Sequence, residues 1–414
     1  MQDIKNIHFI GIGGIGISAI ARMMLGEGKK VTGQDIQDSE IIKELRKNGA
    51  DITIGQSFDN IPENTDLVVY TIAIKDYDPE FFEKLKNSDF EIKSYPEMLN
   101  EISKNKYTIA VAGTHGKTTT TAMLAKILEE KDPTVVVGSL ISNKSNFIKG
   151  KSDLFIVEAC EYRRSFLNLD PNILVITNID KDHLDYYKDL DDIKNAFREL
   201  AMKTSEYVVC DLSKVADVVA GLDVEIIDYR KYYDKDLKLK IPGKHNKENA
   251  AVALAVADIL NVKNNSLLEF SGIWRRFEYK GEVLNGAKLY DDYAHHPVEI
   301  KATLEGFREL YPESKIVVVF QPHLFSRTKM LFDDFVNSFE LADQILILPI
   351  YYAREESDGT ISSSKLAVEI DNAEAFKDFD SAEEKLRNMD LNKNTIIVTM
   401  GAGEAFKIGD NLMI

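Results

Sequence analysis

Cysteine is almost absent from this sequence, because its 414 residues include only two, Cys160 and Cys210. Two thiols so far apart in the chain exclude a disulfide-rich scaffold and a cysteine-based metal centre. Cys210 also ends the apolar run YVVC, which favours a place in a hydrophobic core. The sequence has no apolar run long enough to cross a bilayer, and we expect no signal peptide. The sequence therefore predicts a cytoplasmic protein without a membrane partner.

Positive charge is also scarce. Lysine and arginine number 51 against 68 aspartates and glutamates, which gives a formal net charge of −17. A general nucleic-acid binder needs a basic face, so this balance argues against a nucleic-acid partner. It does not exclude small anionic ligands, since local loops and cations can reverse the global field. The length predicts two or three domains rather than one core.

Apolar strands alternate with helical segments along the whole chain. This alternation is typical of parallel sheets covered by helices on both faces. This strand–helix alternation begins again at two later points in the chain, so the sequence predicts an α/β protein of three domains. We expect a Rossmann-like N-terminal domain at 1–102, a central P-loop-type ATPase domain at 103–274, and a C-terminal Rossmann-like domain at 275–414.

The first glycine-rich loop runs from Gly11 to Gly16 and matches the pattern G-x-G-x-x-G. It follows a predicted strand, opens a predicted helix, and has Asp35 at the end of the next strand, which is the context of the dinucleotide fingerprint. Glycines let backbone N–H groups approach a diphosphate, and the helix start adds a favourable field. Any nucleotide diphosphate would suit this loop, and a tight turn without a ligand is the alternative.

The second loop lies in AGTHGKTTTTAML, between a predicted strand and a predicted helix. Gly113 and Gly116 can bend it around phosphate oxygens, Lys117 can reach the β- and γ-phosphates, and Thr118 can place its hydroxyl on Mg²⁺. Val111 stands where a full Walker A motif has its first glycine. Two phosphate-binding loops predict two phosphate-bearing ligands, ATP and a nucleotide-linked substrate.

Polar side chains follow two predicted strands of the central domain. Glu158 and Glu161 come at the end of one strand, and Asn178, Asp182 and His183 follow another. The carboxyl ends of parallel strands face the ligand crevice, where carboxylates can complete the shell of Mg²⁺. Each residue alone is equally compatible with a solvated loop, but their convergence beside a Lys-Thr loop favours a metal site.

Further candidates lie beside the second boundary. Asn246 and Asn249 start a helix, where an amide can pair with an adenine edge or cap the helix. Arg275 and Arg276 stand at the proposed hinge, where an arginine can neutralise charge on a transferring phosphoryl group or form a surface ion pair.

The third domain has two polar segments after predicted strands, DDYAHHP and FQPHLFSRT. Their polar residues are Asp292, Tyr293, His295, His296, His323 and Arg327. Arg327 is suited to clamp a small carboxylate.

The chain resembles the Mur ligase family over essentially its whole length. The resemblance rests on an ordered set of motifs: GIGGIGISAIA, AGTHGKTTTT, VEACEYRRSF, TNIDKDH, PGKHNKENA, RRFE, DDYAHHP and QPHLFSRT. It implies an ATP- and Mg²⁺-dependent ligase that joins L-alanine to the carboxylate of UDP-N-acetylmuramic acid through an acyl phosphate, in peptidoglycan precursor synthesis. It also implies a monomer or homodimer, with one domain each for the UDP-sugar, ATP and the amino acid.

The resemblance also implies residue roles. For ATP the matching positions are Gly113, Thr114, His115, Gly116, Lys117, Thr118, Thr119, Asn246, Asn249, Arg276 and Asp292. For the UDP-sugar they are Gly11, Gly13, Gly14, Ile15, Gly16, Ser18, Asp35 and Thr71. For the metal they are Thr118, Glu161 and His183, and for the amino acid Tyr293, His295, His323 and Arg327. The catalytic set is Lys117, Glu161, His183 and His295, with His295 or His183 as the base.

Three alternatives remain at this point. A sister ligase would attach a whole peptide to the same UDP-sugar in cell-wall recycling, and an assay with alanine and with tripeptide would distinguish the two. An NAD-dependent oxidoreductase would explain the first loop but leaves the second loop unexplained. A non-catalytic nucleotide-binding regulator would not need Lys117, Glu161 and His183.

Overall fold

The computed structural model describes residues 3–141, 145–184, 186–352, 355–357 and 359–413. The chain divides into two compact units. The first unit comprises Met1–Tyr233 and Asn249–Leu267, and the second comprises Asp234–Glu248 and Leu268–Ile414. Within the described ranges the first unit contains two β-sheets and the second contains one.

The first sheet has five parallel strands in the order β3-β2-β1-β4-β5. Its strands are β1 (Asn6–Ile10), β2 (Lys30–Asp35), β3 (Asp51–Ile54), β4 (Leu67–Tyr70) and β5 (Ile92–Ser94). The accompanying helices are α1 (Ile15–Gly26), α2 (Glu40–Lys47), α3 (Ile74–Tyr77), α4 (Pro79–Lys86) and α5 (Tyr95–Ser103). The order 3-2-1-4 is that of a Rossmann-type sheet, whose ligand crevice lies beyond the carboxyl ends of the strands.

The second sheet has seven strands in the order β12-β11-β10-β6-β9-β7-β8. Its strands are β6 (Tyr107–Ala112), β7 (Thr134–Ile141), β8 (Ser145–Ile148), β9 (Leu154–Glu158), β10 (Ile173–Ile176), β11 (Tyr207–Cys210) and β12 (Glu225–Asp228). The helices are α6 (Lys117–Ile127), α7 (Leu190–Met202), α8 (Leu212–Val219) and α9 (Lys244–Ile259). Neighbouring strands are parallel, except that β8 runs antiparallel to β7.

The two sheets of the first unit are joined through α1, which packs against both β7 and β8. One continuous hydrophobic core contains residues of both sheets, including Phe9 and Met24 from the first and Phe155 from the second. The two predicted N-terminal domains therefore form a single packed body, although each has its own sheet.

The sheet of the second unit has six strands in the order β13-β14-β18-β15-β16-β17. Its strands are β13 (Glu278–Val283), β14 (Ala287–Asp292), β15 (Lys315–Phe320), β16 (Gln344–Ile347), β17 (Ala373–Ala375) and β18 (Thr395–Met400). The helices are α10 (Pro297–Leu310), α11 (Phe325–Met330), α12 (Phe332–Val336), α13 (Ser363–Glu369), α14 (Phe379–Arg387) and α15 (Phe406–Leu412). Only β13 is antiparallel to its neighbour among these described strands.

The predicted three-part α/β architecture is confirmed, since three largely parallel sheets each carry helices. Residues 234–248 and 268–274 cluster with the C-terminal sheet, and the predicted boundaries at 102 and 274 stay predictions. In the described part of the chain, no helix combines the length and the apolar character needed to cross a membrane.

Candidate active site

The second glycine loop joins β6 to α6, as the sequence predicts, and its two glycines are required by backbone and by space. Gly113 has φ +140°, and a Cβ there would lie 1.9 Å from Thr177 Oγ1. Gly116 has φ +81°, and a Cβ there would lie 2.5 Å from Asn249 Oδ1. Any other residue would be strained and would push the loop away from its supports. The loop backbone therefore lies in close contact with the side chains of Thr177 and Asn249.

The residues that follow β10 hold the loop in place. Asn178 Oδ1 accepts from the His115 N–H and its Nδ2 donates to the His115 carbonyl, both at 2.9 Å. The Thr177 hydroxyl donates to the same carbonyl at 2.6 Å. Thr114 Oγ1 accepts from the Asp180 N–H at 2.9 Å. Because these bonds fix the loop in advance, little reorganisation is needed when an anion binds.

Lys117 starts α6 and points into the loop. Its Nζ donates to the carbonyls of Gly113 and Thr114 and lies 2.9 Å from each carboxylate oxygen of Glu161. Burial lowers the pKa of Lys117, but the combined attraction of Glu161, Cys160 and Glu158 and the hydrogen bond to Glu161 outweigh burial and raise that pKa to about 12. Lys117 is thus a fully charged, compact cation at the point where the β- and γ-phosphates of a nucleotide would lie.

Thr118 is paired with Glu158, the last residue of β9. The Thr118 hydroxyl donates to Glu158 Oε1 at 3.0 Å, and the Gly138 N–H donates to Oε2 at 2.7 Å. The expectation for the metal grouped Thr118 with Glu161 and His183. The structure instead places Glu158 beside Thr118, and Glu161 beside Lys117. A hydroxyl and a carboxylate in contact are the oxygen ligands that Mg²⁺ prefers.

Glu161 and His183 lie near one another. His183 Nε2 is 3.9 Å from Glu161 Oε1 and 3.7 Å from Asp182 Oδ2, and the imidazole packs on Tyr162 at 4.8 Å between ring centroids. Glu161 is only 2% exposed, and its Oε2 accepts no well-directed hydrogen bond from the described residues. Within those residues no three acidic, histidine or cysteine side chains already form a metal-binding group. Thr118, Glu158 and Glu161 fit Mg²⁺ if phosphate and water complete its shell.

The first glycine loop is equally constrained. A Cβ on Gly11, which has φ +73°, would lie 2.6 Å from Thr71 Cγ2, and one on Gly16 would lie 2.7 Å from the Tyr95 ring. Gly14 is the N-cap of α1, and Ile15 is its first residue. The loop thus brings the predicted UDP-sugar residues Gly11, Gly13, Gly14, Ile15, Gly16, Asp35 and Thr71 together at the carboxyl end of the first sheet.

Ser18 and Asp35 have other contacts than the sequence predicts. Ser18 is fully buried, and its hydroxyl donates to the Ile15 carbonyl at 3.0 Å, so it supports α1 from behind. The Asp35 carboxylate accepts from the Gly13 N–H at 2.8 Å. In dinucleotide-binding proteins this acid contacts a ribose. Here one of its oxygens holds the loop itself.

The two asparagines of α9 differ in their surroundings. Asn249 belongs to the first unit, where its Oδ1 accepts from the Thr120 hydroxyl at 3.2 Å and abuts Gly116. Asn246 belongs to the second unit, where its Nδ2 donates to the Pro242 carbonyl at 2.6 Å. Asn249 therefore contacts the second glycine loop, whereas the Asn246 side chain bonds the residues that precede α9.

The two arginines at the start of the third sheet are also distinguished by the structure. Arg275 is 3% exposed, pairs with Asp291 at 2.7 Å, and donates to the carbonyls of Gly401 and Gly403. The Arg276 guanidinium lies over the Tyr293 ring at 5.0 Å. Arg275 thus forms a structural ion pair with Asp291, and Arg276 is the arginine that remains available for a ligand.

Asp292 ends β14 and is almost fully buried. Its Oδ2 accepts from the Phe277 N–H at 2.7 Å, and its Oδ1 accepts from Ala294 at 2.8 Å and from Thr303 at 3.3 Å. Burial raises the pKa of Asp292 to about 6, against the opposing effect of Arg276. Asp292 therefore organises the segment that carries Arg276 and Tyr293.

The predicted amino-acid residues form a cluster in the second unit. The rings of His295 and Tyr293 are 5.4 Å apart, and those of His295 and His323 are 5.9 Å apart. Arg327 Nη1 lies 3.3 Å from His323 Nδ1. Aromatic, imidazole and guanidinium groups so arranged can hold a small zwitterion by its carboxylate.

The sequence reasoning missed two members of this cluster. Glu299 lies 3.2 Å from His295 Nδ1 and forms a capping box with His296 at the start of α10. The spacing H-P-V-E after a strand is a capping signal that could have revealed it. Tyr351 stacks on His323 at 5.5 Å, and no local pattern in the sequence indicates that contact.

Comparison with known families gives matches in three segments. The profile of the Mur ligase family, catalytic domain, matches residues 6–107, and that of the Mur ligase middle domain matches residues 111–215. The profile described as Mur ligase, glutamate ligase domain, matches residues 275–403.

Individual proteins are similar over the full length. A relative from Clostridium acetobutylicum, described as UDP-N-acetylmuramate–L-alanine ligase, is 42% identical over 447 residues, covering 98% of this chain and 97% of the relative. The crystal structure of UDP-N-acetylmuramate-alanine ligase from Thermotoga maritima has a TM-score of 0.81 and 29% identity, covering 99% and 98% of the two chains. A murein peptide ligase from Psychrobacter arcticus has a TM-score of 0.73 over the same shares, and its 24% identity speaks for the fold alone.

Proposed function

This chain belongs to the Mur ligase family, and on that premise we propose that it uses ATP to join L-alanine to the carboxylate of UDP-N-acetylmuramic acid. The 42% identity to an alanine-adding relative along nearly all of both chains supports alanine over a peptide as the added group. We propose the cytoplasm, where ATP is available, as the place of the reaction. The division into 1–102, 103–274 and 275–414 remains part of this proposal.

One observation carries the proposal most directly. At the carboxyl end of the second sheet, a charged lysine, a hydroxyl and two carboxylates, that of Glu161 buried, surround the glycine loop: Lys117, Thr118, Glu158 and Glu161. These groups, with a metal ion held by the carboxylates, can neutralise the negative charge on a transferring phosphoryl group. A strand–helix turn that binds no ligand would not need two carboxylates at that point.

The first step that we propose forms an acyl phosphate. A carboxylate oxygen of the sugar acid attacks the γ-phosphorus, the bond from that phosphorus to the bridging oxygen breaks, and ADP leaves. Two anions must approach each other, so the task of the chain is positional and electrostatic. Lys117 and the backbone N–H groups at the start of α6 would stabilise the charge that moves to ADP.

Magnesium fits the same place. Thr118, Glu158 and Glu161 would hold Mg²⁺ directly or through water, and His183 stands close enough to Glu161 to orient it. When bound, the ion supplies charge neutralisation between the β- and γ-phosphates.

In the second step the alanine amine attacks the acyl carbon, the bond from that carbon to the phosphate oxygen breaks, and inorganic phosphate leaves. This step needs a base, because alanine carries an ammonium group. His295 Nδ1 lies 3.0 Å from the Tyr293 carbonyl and 3.2 Å from the Glu299 carboxylate, two groups that only accept. The ring proton therefore belongs on Nδ1, which leaves the lone pair on Nε2 to take a proton from the amine. His183 lies beside two carboxylates and suits the metal better, so we assign the base to His295 and the carboxylate clamp to Arg327.

The proposal is tested by phosphate release from ATP with UDP-N-acetylmuramic acid and L-alanine, glycine, L-serine or a tripeptide in turn. We expect turnover that requires the UDP-sugar, ATP and Mg²⁺ together and is fastest with alanine. Faster turnover with the tripeptide would assign the chain to peptide recycling. If ATP binds but no product forms under any of these conditions, the chain would instead be a non-catalytic nucleotide-binding regulator.

A further inference from the structure

The helix that follows the first glycine loop, α1, is held at one end by β8 of the second sheet and at the other end by the residue that follows β8. Near its start, Asn146 of β8 donates from Nδ2 to the Ile15 carbonyl and to Ser18 Oγ, the latter at 3.0 Å. At its other end, Lys149 Nζ donates to the Gly26 carbonyl at 2.6 Å. Asn146 is completely buried, so its contact with α1 lies inside the first unit and not on its surface.

A buried arginine completes the contact. Arg22 is 7% exposed, donates from Nη1 to Asn146 Oδ1 at 2.5 Å, and pairs from Nη2 with Glu44 at 2.6 Å. Asn146 thus uses both ends of its amide, since Nδ2 donates toward the first turn of α1 and Oδ1 accepts from Arg22. A buried polar network of this kind permits one arrangement of its parts, whereas an apolar contact would allow sliding.

The hairpin of β7 and β8 also reaches the second glycine loop. On β7, the Gly138 N–H binds Glu158 at 2.7 Å, and Glu158 accepts from the Thr118 hydroxyl at 3.0 Å. A Cβ on Gly138 would lie 2.6 Å from the Glu158 carboxylate, so the backbone of β7 and this side chain are in close contact. One hairpin therefore contacts the helix of the first loop on one side and the metal-side carboxylate of the second loop on the other.

We propose that the β7–β8 hairpin sets the spacing between the two phosphate-binding loops, and that Asn146 is its positioning residue. The inference rests on the proposed function, in which the first loop holds the UDP-sugar and the second holds ATP. A carboxylate on one ligand must meet the γ-phosphorus of the other within about 3–3.5 Å, and a displacement of about 1 Å can cost about 10²-fold in rate. A rigid spacer supplies that alignment without touching either ligand.

The test uses the full-length protein with Asn146→Ala and the isosteric Asn146→Asp, which keeps the volume but loses the donor to Ile15. The matched control is Leu85→Ala, which removes a fully buried side chain elsewhere in the same unit and lies outside both loops. For each protein we would measure kcat, the KM of each substrate, and the Kd of the UDP-sugar and of a non-hydrolysable ATP analogue, each alone. Melting temperatures identify variants that are merely less stable.

A positioning role predicts a fall in kcat of about tenfold or more in both Asn146 variants. It also predicts that each ligand alone binds within about threefold of the wild-type Kd, and that Leu85→Ala keeps the wild-type kcat per folded molecule. If the wild type turns over and Asn146→Asp keeps its kcat within twofold, or falls no further than the control, the spacer role is excluded. An inactive wild type would instead refute the proposed function from which the inference starts.

Discussion

The ion pair of Lys117 and Glu161 places two charges in a nearly dry part of the first unit, with side chains 14% and 3% exposed. Such a pair contributes little net stability, but removing one partner leaves an uncompensated charge, at a cost of about 3–5 kcal/mol. The pair is thus better explained by function than by stability. It keeps Lys117 charged and directed at the loop until a phosphate competes for it.

Lys117→Ala should therefore retain the fold and the binding of the UDP-sugar, and should lose ADP release by about 10²- to 10³-fold, because a main source of phosphate neutralisation is gone. The melting temperature should fall, since Glu161 is left unpaired. Adding Glu161→Gln should restore the melting temperature but not the turnover. The matched control is Lys126→Ala on the same helix, whose exposed pair with Glu129 is dispensable. Near-normal turnover in Lys117→Ala would remove the role of the second loop.

His295→Gln tests the second step separately from the first. We expect amide formation to fall by about 10²- to 10⁴-fold, the usual contribution of a positioned base. The first burst of ADP, measured by rapid quench, should persist because acyl-phosphate formation does not use the base. Glu299→Gln should show a smaller loss of the same kind, since it only orients the ring. Loss of the ADP burst in His295→Gln would contradict the assignment.

At the scale of elements, the first glycine loop is fixed by its contact with α5. The Tyr95 ring occupies the space that a side chain at Gly16 would need. The third glycine of the motif is therefore explained by helix packing, whereas Gly11 and Gly14 shape the turn. This separates the glycines that shape the turn from the one that helix packing requires.

Gly16→Ala should overpack this contact, lower the free energy of unfolding by about 1–3 kcal/mol, and weaken binding of the UDP-sugar. Calorimetry and a binding titration check both effects. Tyr95→Ala in the same chain should recover most of the loss. Gly26→Ala, in the last turn of the same helix, is the matched control: its Cβ would lie 3.6 Å from Lys149, an ordinary contact. If Gly16→Ala behaves like Gly26→Ala, the packing explanation fails.

The sequence predicts those parts of the site that are continuous in the chain. Both glycine loops follow a strand and open a helix, so their place and conformation follow from local pattern and backbone chemistry. The contact partners of these residues within the site do not follow from local pattern. That Thr118 meets Glu158 rather than Glu161, or that Asn146 meets Arg22, depends on strand order and on the packing of one sheet against a helix of another. Glu299 belongs to the local parts, because both its capping position and its contact with His295, four residues before it, lie within one stretch of the chain.

At the scale of the whole molecule, a buried histidine links the stability of the first unit to pH. His8 is 1% exposed in β1, bonded to Thr32 at 2.8 Å and to Gln34 at 3.2 Å. Burial lowers the pKa of His8 from 6.5 to about 4. The folded state therefore binds fewer protons than the unfolded state between these values. The stability contributed by neutral His8 is complete above pH 6.5 and is lost as the pH falls toward 4.

His8→Gln should reduce this acid sensitivity, because glutamine does not titrate. Between pH 7 and pH 4, the fall in the free energy of unfolding should be smaller in the variant by about 3 kcal/mol. Urea titrations at several pH values measure the difference. Leu85→Ala is a suitable comparison, since it should lower stability equally at every pH. A pH profile of His8→Gln parallel to that of the wild type would contradict the burial effect.

The contact between α1 and β8 joins residues 124 positions apart, from Arg22 to Asn146. During synthesis on the ribosome, the first sheet is complete long before the strand that covers its helix has been made. An isolated N-terminal fragment would leave Arg22 without its amide partner and part of α1 exposed to water. Chimaeras that exchange the nucleotide-sugar half between relatives should therefore include the hairpin and Lys149, and join the two chains after residue 149 rather than after residue 102.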